Sequence, residues 1–132
     1  MKKYIPIVML MLLTNTNIIS QTLSDQNFIY TATPQKGVTA ENYNSLTQEE
    51  VIQNVTYFDG LGRPKQTVAI GQGGNGLDII THIGYDDFGR GEKEHLPYLD
   101  GGNTGIFRTG NIDLATKKYY LQHYPTEMNI AV

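Results

Sequence analysis

Apolar and polar residues alternate in five short stretches of this chain, at residues 27–33, 51–58, 65–70, 78–85 and 92–96. A period of two sends successive side chains to opposite faces, so each stretch predicts a β-strand. In the third, Val68 and Ile70 share one face and Thr67 and Ala69 the other. In the fourth, the clearest, Ile79, Thr81, Ile83 and Tyr85 line one face. Turn formers separate the stretches: Pro34 and Lys36-Gly37, the run Gly71-Gln72-Gly73-Gly74-Asn75-Gly76, Pro97, and Asp100-Gly101-Gly102-Asn103. Residues 38–50 are polar, and Thr47-Gln48-Glu49-Glu50 carries the pattern of a capped helical turn. The alternation stops after Ile112. There, Asn111 or Asp113 can cap a helix with Ala115, Tyr119 and Leu121 or Gln122 near one face, closed by Pro125. The fold class predicted is mainly β, an antiparallel meander of hairpins with a short C-terminal helix.

Two of the breaks are copies of one pattern. Phe58-Asp59-Gly60-Leu61-Gly62-Arg63 and Tyr85-Asp86-Asp87-Phe88-Gly89-Arg90 share the order aromatic, Asp, any residue, apolar, Gly, Arg, at a spacing of 27. Each copy joins two alternating stretches, the place of a hairpin turn. Asp59 and Asp86 can accept backbone N–H groups across such a turn. Gly62 and Gly89 can supply the positive φ that closes it. Arg63 and Arg90 begin the return strands, where a guanidinium can pair with a carboxylate. Phe58, Tyr85, Leu61 and Phe88 are expected to pack as a small satellite core. An Asp–Arg catalytic pair is the competing reading, but repetition favours a scaffold, which needs many units where an active site needs one.

The N-terminus changes where this chain is expected to work. Met1-Lys2-Lys3 is a basic start, residues 5–13 are apolar apart from Pro6, and Ser20 is a small residue at a cleavage position. That arrangement predicts a signal peptide over residues 1–20, too short in its apolar part to span a membrane. Loss of Lys2 and Lys3 takes the net charge from −3 to −5, with the remaining basic residues scattered. Such a surface is unsuited to neutralising nucleic-acid phosphates. The chain has no Cys, which excludes a lipidated cysteine and disulfide staples. Packing and sheet pairing must hold the fold, with nine Tyr and four Phe as its bulkiest side chains.

Other candidate chemistry is thin. The loop 71–76 is rich in Gly but lacks the Lys-Ser/Thr and the helix of a phosphate cradle, so a hairpin loop is expected. His82, His95 and His123 lie on separate elements without ligand spacing, and Asp78, Asp86, Asp87 and Asp100 lack the order of a calcium loop. No Gly-x-Ser-x-Gly elbow is present. No catalytic, metal or cofactor residues are therefore assigned.

The two turns resemble the YD repeats of bacterial RHS proteins, with Phe58 where that family usually has Tyr. NFIYT, VTYFDGLGRPKQTVAI and YDDFGR…EHLPY together resemble the N-terminal domain that precedes those repeats. The resemblance covers about residues 25–125 and divides the chain into a signal peptide (1–20), a lead-in (21–26), a β domain (27–125) and a tail (126–132) that reads as truncated. It implies a non-catalytic, exported structural domain at the start of a repeat shell. The implied partners are downstream RHS repeats and, through the whole protein, cell-surface components. A free-standing surface-binding module, for example for glycans, is the alternative, with Tyr119, Tyr120 and Tyr124 as candidate contacts. Mass spectrometry of the exported protein is expected to find an N-terminus near Gln21; recovery of the full-length chain from the cytosol would refute the export signal.

Overall fold

The computed structural model describes residues 25–102 and 104–126, so the signal peptide, most of the lead-in and nearly all of the tail lie outside the described residues. Six strands form one antiparallel sheet: β1 (Phe28–Pro34), β2 (Val51–Phe58), β3 (Pro64–Ala69), β4 (Asp78–Tyr85), β5 (Gly91–Glu94) and β6 (Tyr98–Asp100). The order is β1-β2-β3-β4-β5, with β6 also paired to β4. Among the described residues one α-helix, α1 (Ile112–His123), follows. The protein is thus mainly antiparallel β in meander order with a short C-terminal helix.

The strand expected over residues 92–96 ends at Glu94, and after Pro97 the chain forms another short strand. Gly91–Glu94 pairs with one half of β4 and Tyr98–Asp100 with the other, in a place where the sequence suggested only a turn. The missing N–H of proline interrupts the ladder, and the chain resumes pairing one residue later. Thr47 and Glu50 form a reciprocal capping box around a short 3₁₀ turn, Gln48–Glu50, leading into β2. The Asn111 side chain accepts the Leu114 N–H at 2.9 Å and caps α1.

One face of the sheet is covered and the other is open. The register aligns Tyr57, Gln66 and His82 in one row and Val55, Val68, Ile80 and Tyr98 in the next. Val55, Tyr57, Val68, Ile70, Ile80 and Tyr98 form the core, against which Phe107, Ile112, Ala115 and Tyr119 pack. Ala115 and Tyr119 are the helix positions expected to share a face, and that face is the one turned to the sheet. On β4 the apolar row is not the core row: Ile80 is fully buried, whereas Ile79 and Ile83 are half-buried. The opposite face carries the aligned threonines Thr56, Thr67 and Thr81.

Three buried polar side chains hold the C-terminal segment on the covered face. Asp78 has no exposure, and its carboxylate accepts the N–H groups of Gly71 (3.0 Å) and Gly105 (2.9 Å) and pairs with Arg108 Nη2 at 3.0 Å. The Gln66 amide accepts the Arg108 N–H at 2.7 Å and donates to its carbonyl at 3.0 Å, a side-chain imitation of a strand pairing. The Tyr57 hydroxyl donates to the Gly105 carbonyl at 2.7 Å. Burial pushes the Tyr57 hydroxyl above its usual pKa, keeping it a donor. Asp78→Ala removes the buried one of Arg108's two carboxylate partners, leaving the half-exposed Asp100, and is expected to cost about 3–5 kcal/mol. Gln66→Leu is expected to cost about 1–3 kcal/mol, because two part-buried backbone groups of Arg108 lose their partner. Denaturant melts read both, and a loss within about 0.5 kcal/mol of zero for Asp78→Ala would remove this pairing from the core.

Candidate functional site: the paired repeat turns

Because β2 and β4 run in the same direction, both repeat turns emerge at one end of the sheet, on either side of β3. Their local geometry is the same to within a few tenths of an ångström. Asp59 Oδ1 accepts the N–H groups of Leu61 and Arg63, both at 2.9 Å. Asp86 Oδ1 accepts those of Phe88 at 3.0 Å and Arg90 at 2.8 Å. The second carboxylate oxygen takes a forked pair from the guanidinium, Nε and Nη2, at 2.7 and 2.6 Å in the first turn and 2.8 and 2.7 Å in the second. Asp59 N–H bonds to the Arg63 carbonyl and Asp86 N–H to the Arg90 carbonyl, closing each loop. Gly62 at φ 78° and Gly89 at φ 77° take the left-handed conformation these loops need.

The backbone N–H of Arg63, with its guanidinium, holds the Asp59 carboxyl below the usual aspartate range, and Arg90 does the same for Asp86. These carboxylates are thus fully committed to the turn.

The two turns also touch, through side chains whose meeting the repeat spacing did not reveal. The Arg63 guanidinium lies over the Tyr85 ring, 4.3 Å from its centroid. The Tyr85 hydroxyl donates to the Pro64 carbonyl at 2.8 Å. A Cβ added at Gly89 would run into the Arg63 guanidinium, so this glycine is required for a close approach as well as for its φ. The first turn's arginine therefore rests on the second turn's tyrosine and glycine.

One expectation fails here. Leu61 and Phe88 do not form a satellite core; they are 79% and 84% exposed. Both project from the turn tips beyond the end of the sheet, where among the described residues nothing reaches them except the Arg90 guanidinium, 5.2 Å from the Phe88 ring centroid. Phe58 is half-buried at the end of β2, and its N–H bonds to the Asn27 carbonyl.

The other candidates disperse. His82 and His95 approach edge to face at 5.7 Å, whereas His123 bonds to the Tyr119 carbonyl. Burial lowers the His82 pKa. His95 is buried, with Nδ1 3.3 Å from Asp113 Oδ1 but without hydrogen-bond geometry. Among the described residues no group of three His, Cys, Asp or Glu side chains converges as a metal site would require. Loop 71–76 joins β3 to β4 as a hairpin, with Asn75 at φ 59°. Tyr119 packs on the core and Tyr120 donates to the Pro97 carbonyl at 2.7 Å, while Tyr124 is half-exposed and stacked on Tyr120. A shallow groove of about 310 Å³ between α1 and β6 is lined by Tyr98, Asp100, Lys118, Tyr119 and Gln122. Asp78, Gln66 and Arg108 are the residues sequence reasoning missed.

A small β-sheet domain with duplicated turns belongs to a family defined by sequence. The chain is a member of the DUF6443 family, a domain of unknown function, whose profile matches residues 2–131. No curated protein and no solved structure matches it. Among the described residues no helix is long and apolar enough to cross a membrane.

Each turn carboxylate is depressed in the folded state, so its contribution to stability is present above the ordinary aspartate pKa of about 4 and is lost as pH falls through the folded value. Asp59→Asn and Asp86→Asn are therefore expected to lower the melting temperature at pH 7 and to flatten its fall between about pH 5 and 2. The glycines separate two effects. Gly62→Ala meets only an unfavourable φ, whereas Gly89→Ala also displaces Arg63, so the second is expected to melt lower. Equal melting of the two would show that the contact between turns contributes nothing.

Proposed function

We propose that this protein is a non-catalytic, exported structural domain that begins a β-sheet shell of the RHS/YD-repeat type. The observation that carries this reading is the contact between its two turns: Arg63 on Tyr85 and Gly89, with the Tyr85 hydroxyl on the Pro64 carbonyl. Each turn is closed by its own Asp–Arg pair, and the turns then interlock in series. That is the logic of repeat architectures, in which each unit is completed by its neighbour. Both carboxylates are spent on backbone and guanidinium donors, which suits scaffolding and leaves hydrolytic chemistry without a free acid or base. Export rests on the basic and apolar N-terminus, and downstream repeats are the partners this role requires.

A surface-binding module for glycans is the second reading, and the groove lined by Tyr98 and Tyr119 is what favours it. Against it, Tyr119 is turned to the core and the Tyr120 hydroxyl is already bonded.

The test compares this chain with one extended through the next repeats of a related RHS protein, by denaturant melts and light scattering. The extended chain is expected to be the more stable and the less prone to associate. A monomeric, cooperative chain as stable as its extended counterpart would overturn the scaffold reading and put the binding module first.

A further inference from the structure

We propose that the outer side of the second turn, around Arg90 and the edge of β5, is a docking site for one more hairpin turn bearing Tyr-Asp-x-apolar-Gly-Arg. This rests on the scaffold reading and specifies the contact through which the domain joins its partner. The chain contains its own example of the docked state. Arg63 is held in plane by Asp59, and its flat face then receives the Tyr85 ring at 4.3 Å, while Gly89 leaves room for its edge. The carbonyl after that arginine, on Pro64, receives the tyrosine hydroxyl.

One step along the sheet, every receiving group recurs. Arg90 is held by Asp86 through the same forked pair, at 2.8 and 2.7 Å. Gly91 follows it, as Pro64 follows Arg63. What differs is cover. The Arg63 side chain is 31% exposed under the second turn, and the Arg90 side chain is 74% exposed. Arg90 is thus a preorganised guanidinium, fixed at one edge by Asp86, 5.2 Å from the Phe88 ring centroid, and otherwise exposed. Its strand, β5, is the outermost of the path and short, so side-chain contacts at the turn must set the register of an incoming hairpin.

The same comparison selects the occupant. A tyrosine is required, because the ring covers the guanidinium and the hydroxyl reaches the following carbonyl. A second copy of this chain cannot supply its first turn, which carries Phe58 in that position and whose strand β2 is already flanked by β1. The partner is therefore a turn of the second type, with Tyr before its Asp and Gly before its Arg.

The probe is a peptide copying residues 78–94, its ends joined by a disulfide between added cysteines and its hairpin verified by NMR, titrated calorimetrically into the full chain. Binding to the unaltered chain is expected. Arg90→Ala is expected to weaken it at least about tenfold, as loss of a desolvated cation–π contact would. Arg90→Lys is expected to weaken it comparably, because an ammonium lacks the planar fork that both holds Asp86 and stacks on a ring. In the peptide, Tyr85→Phe is expected to weaken binding about threefold and Gly89→Ala to abolish it. These peptide variants meet the unaltered chain, so they decide the matter even if an Arg90 variant melts early. No binding by a folded peptide, or equal affinity for the wild-type and Arg90→Ala chains, would overturn this docking geometry. Neither result touches the scaffold reading, which stands or falls on the stability of the extended chain.

Discussion

The Asp78 carboxylate is where the two halves of this protein meet. It sits at the start of β4, on the covered face, and reaches forward to the segment after β6 and back to the loop before it. It is one of three buried side chains that fix the path of the stretch carrying Phe107 and leading into α1. A carboxylate wholly removed from water is costly unless every lone pair is used and an opposite charge is close. Here the backbone N–H groups of Gly71, Thr104 and Gly105 and the Arg108 guanidinium meet that condition, and Arg108 itself spans to Asp100 at 3.1 Å. Gln66 and Tyr57 extend the arrangement across β3 and β2, so the covering segment is positioned by three neighbouring strands. Packing then follows the hydrogen bonds: Phe107 meets Tyr57 edge to face at 5.1 Å, and Ile112, Ala115 and Tyr119 fall onto the apolar rows.

The turns at the far end of the sheet use the same chemistry at another scale. In each, one carboxylate collects two N–H groups and one guanidinium, and the loop needs no apolar contents of its own. That explains how Leu61 and Phe88 can stand almost fully in solvent without loosening the hairpins. It also places the energetic link between repeats in the arginine, which is shared: its edge belongs to its own aspartate and its face to the next tyrosine.

Much of the fold was legible because period-two alternation and Gly/Pro breaks are local signals. The strands β2 and β4 carry them fully, and the Asn111 cap with Pro125 bounds α1 closely. The repeat turns were legible in the same way, since Asp, Gly and Arg act within six residues. Three things were not. Pairing resumes after Pro97 because β4 still has unmatched backbone there, a tertiary condition invisible at Tyr98 itself. The covered face of β4 is the one with Asp78, Ile80 and His82, where charge disguises burial. The satellite core failed because an apolar residue at a turn tip has no layer above it; an aromatic–Gly–Arg motif describes the closure of a loop and not what surrounds it.

The two margins of the sheet are chemically unlike. One is β1, seven residues long, bordered by Ile29 and Tyr30 and ended by Pro34. The other is divided at Pro97 into β5, with Glu92, Lys93 and Glu94, and the three-residue β6. A sheet with matching margins could add to itself without limit, as fibrils do. The margins here do not match: β1 is one unbroken strand, whereas the opposite margin is two short pieces with the exposed Arg90 guanidinium at its end.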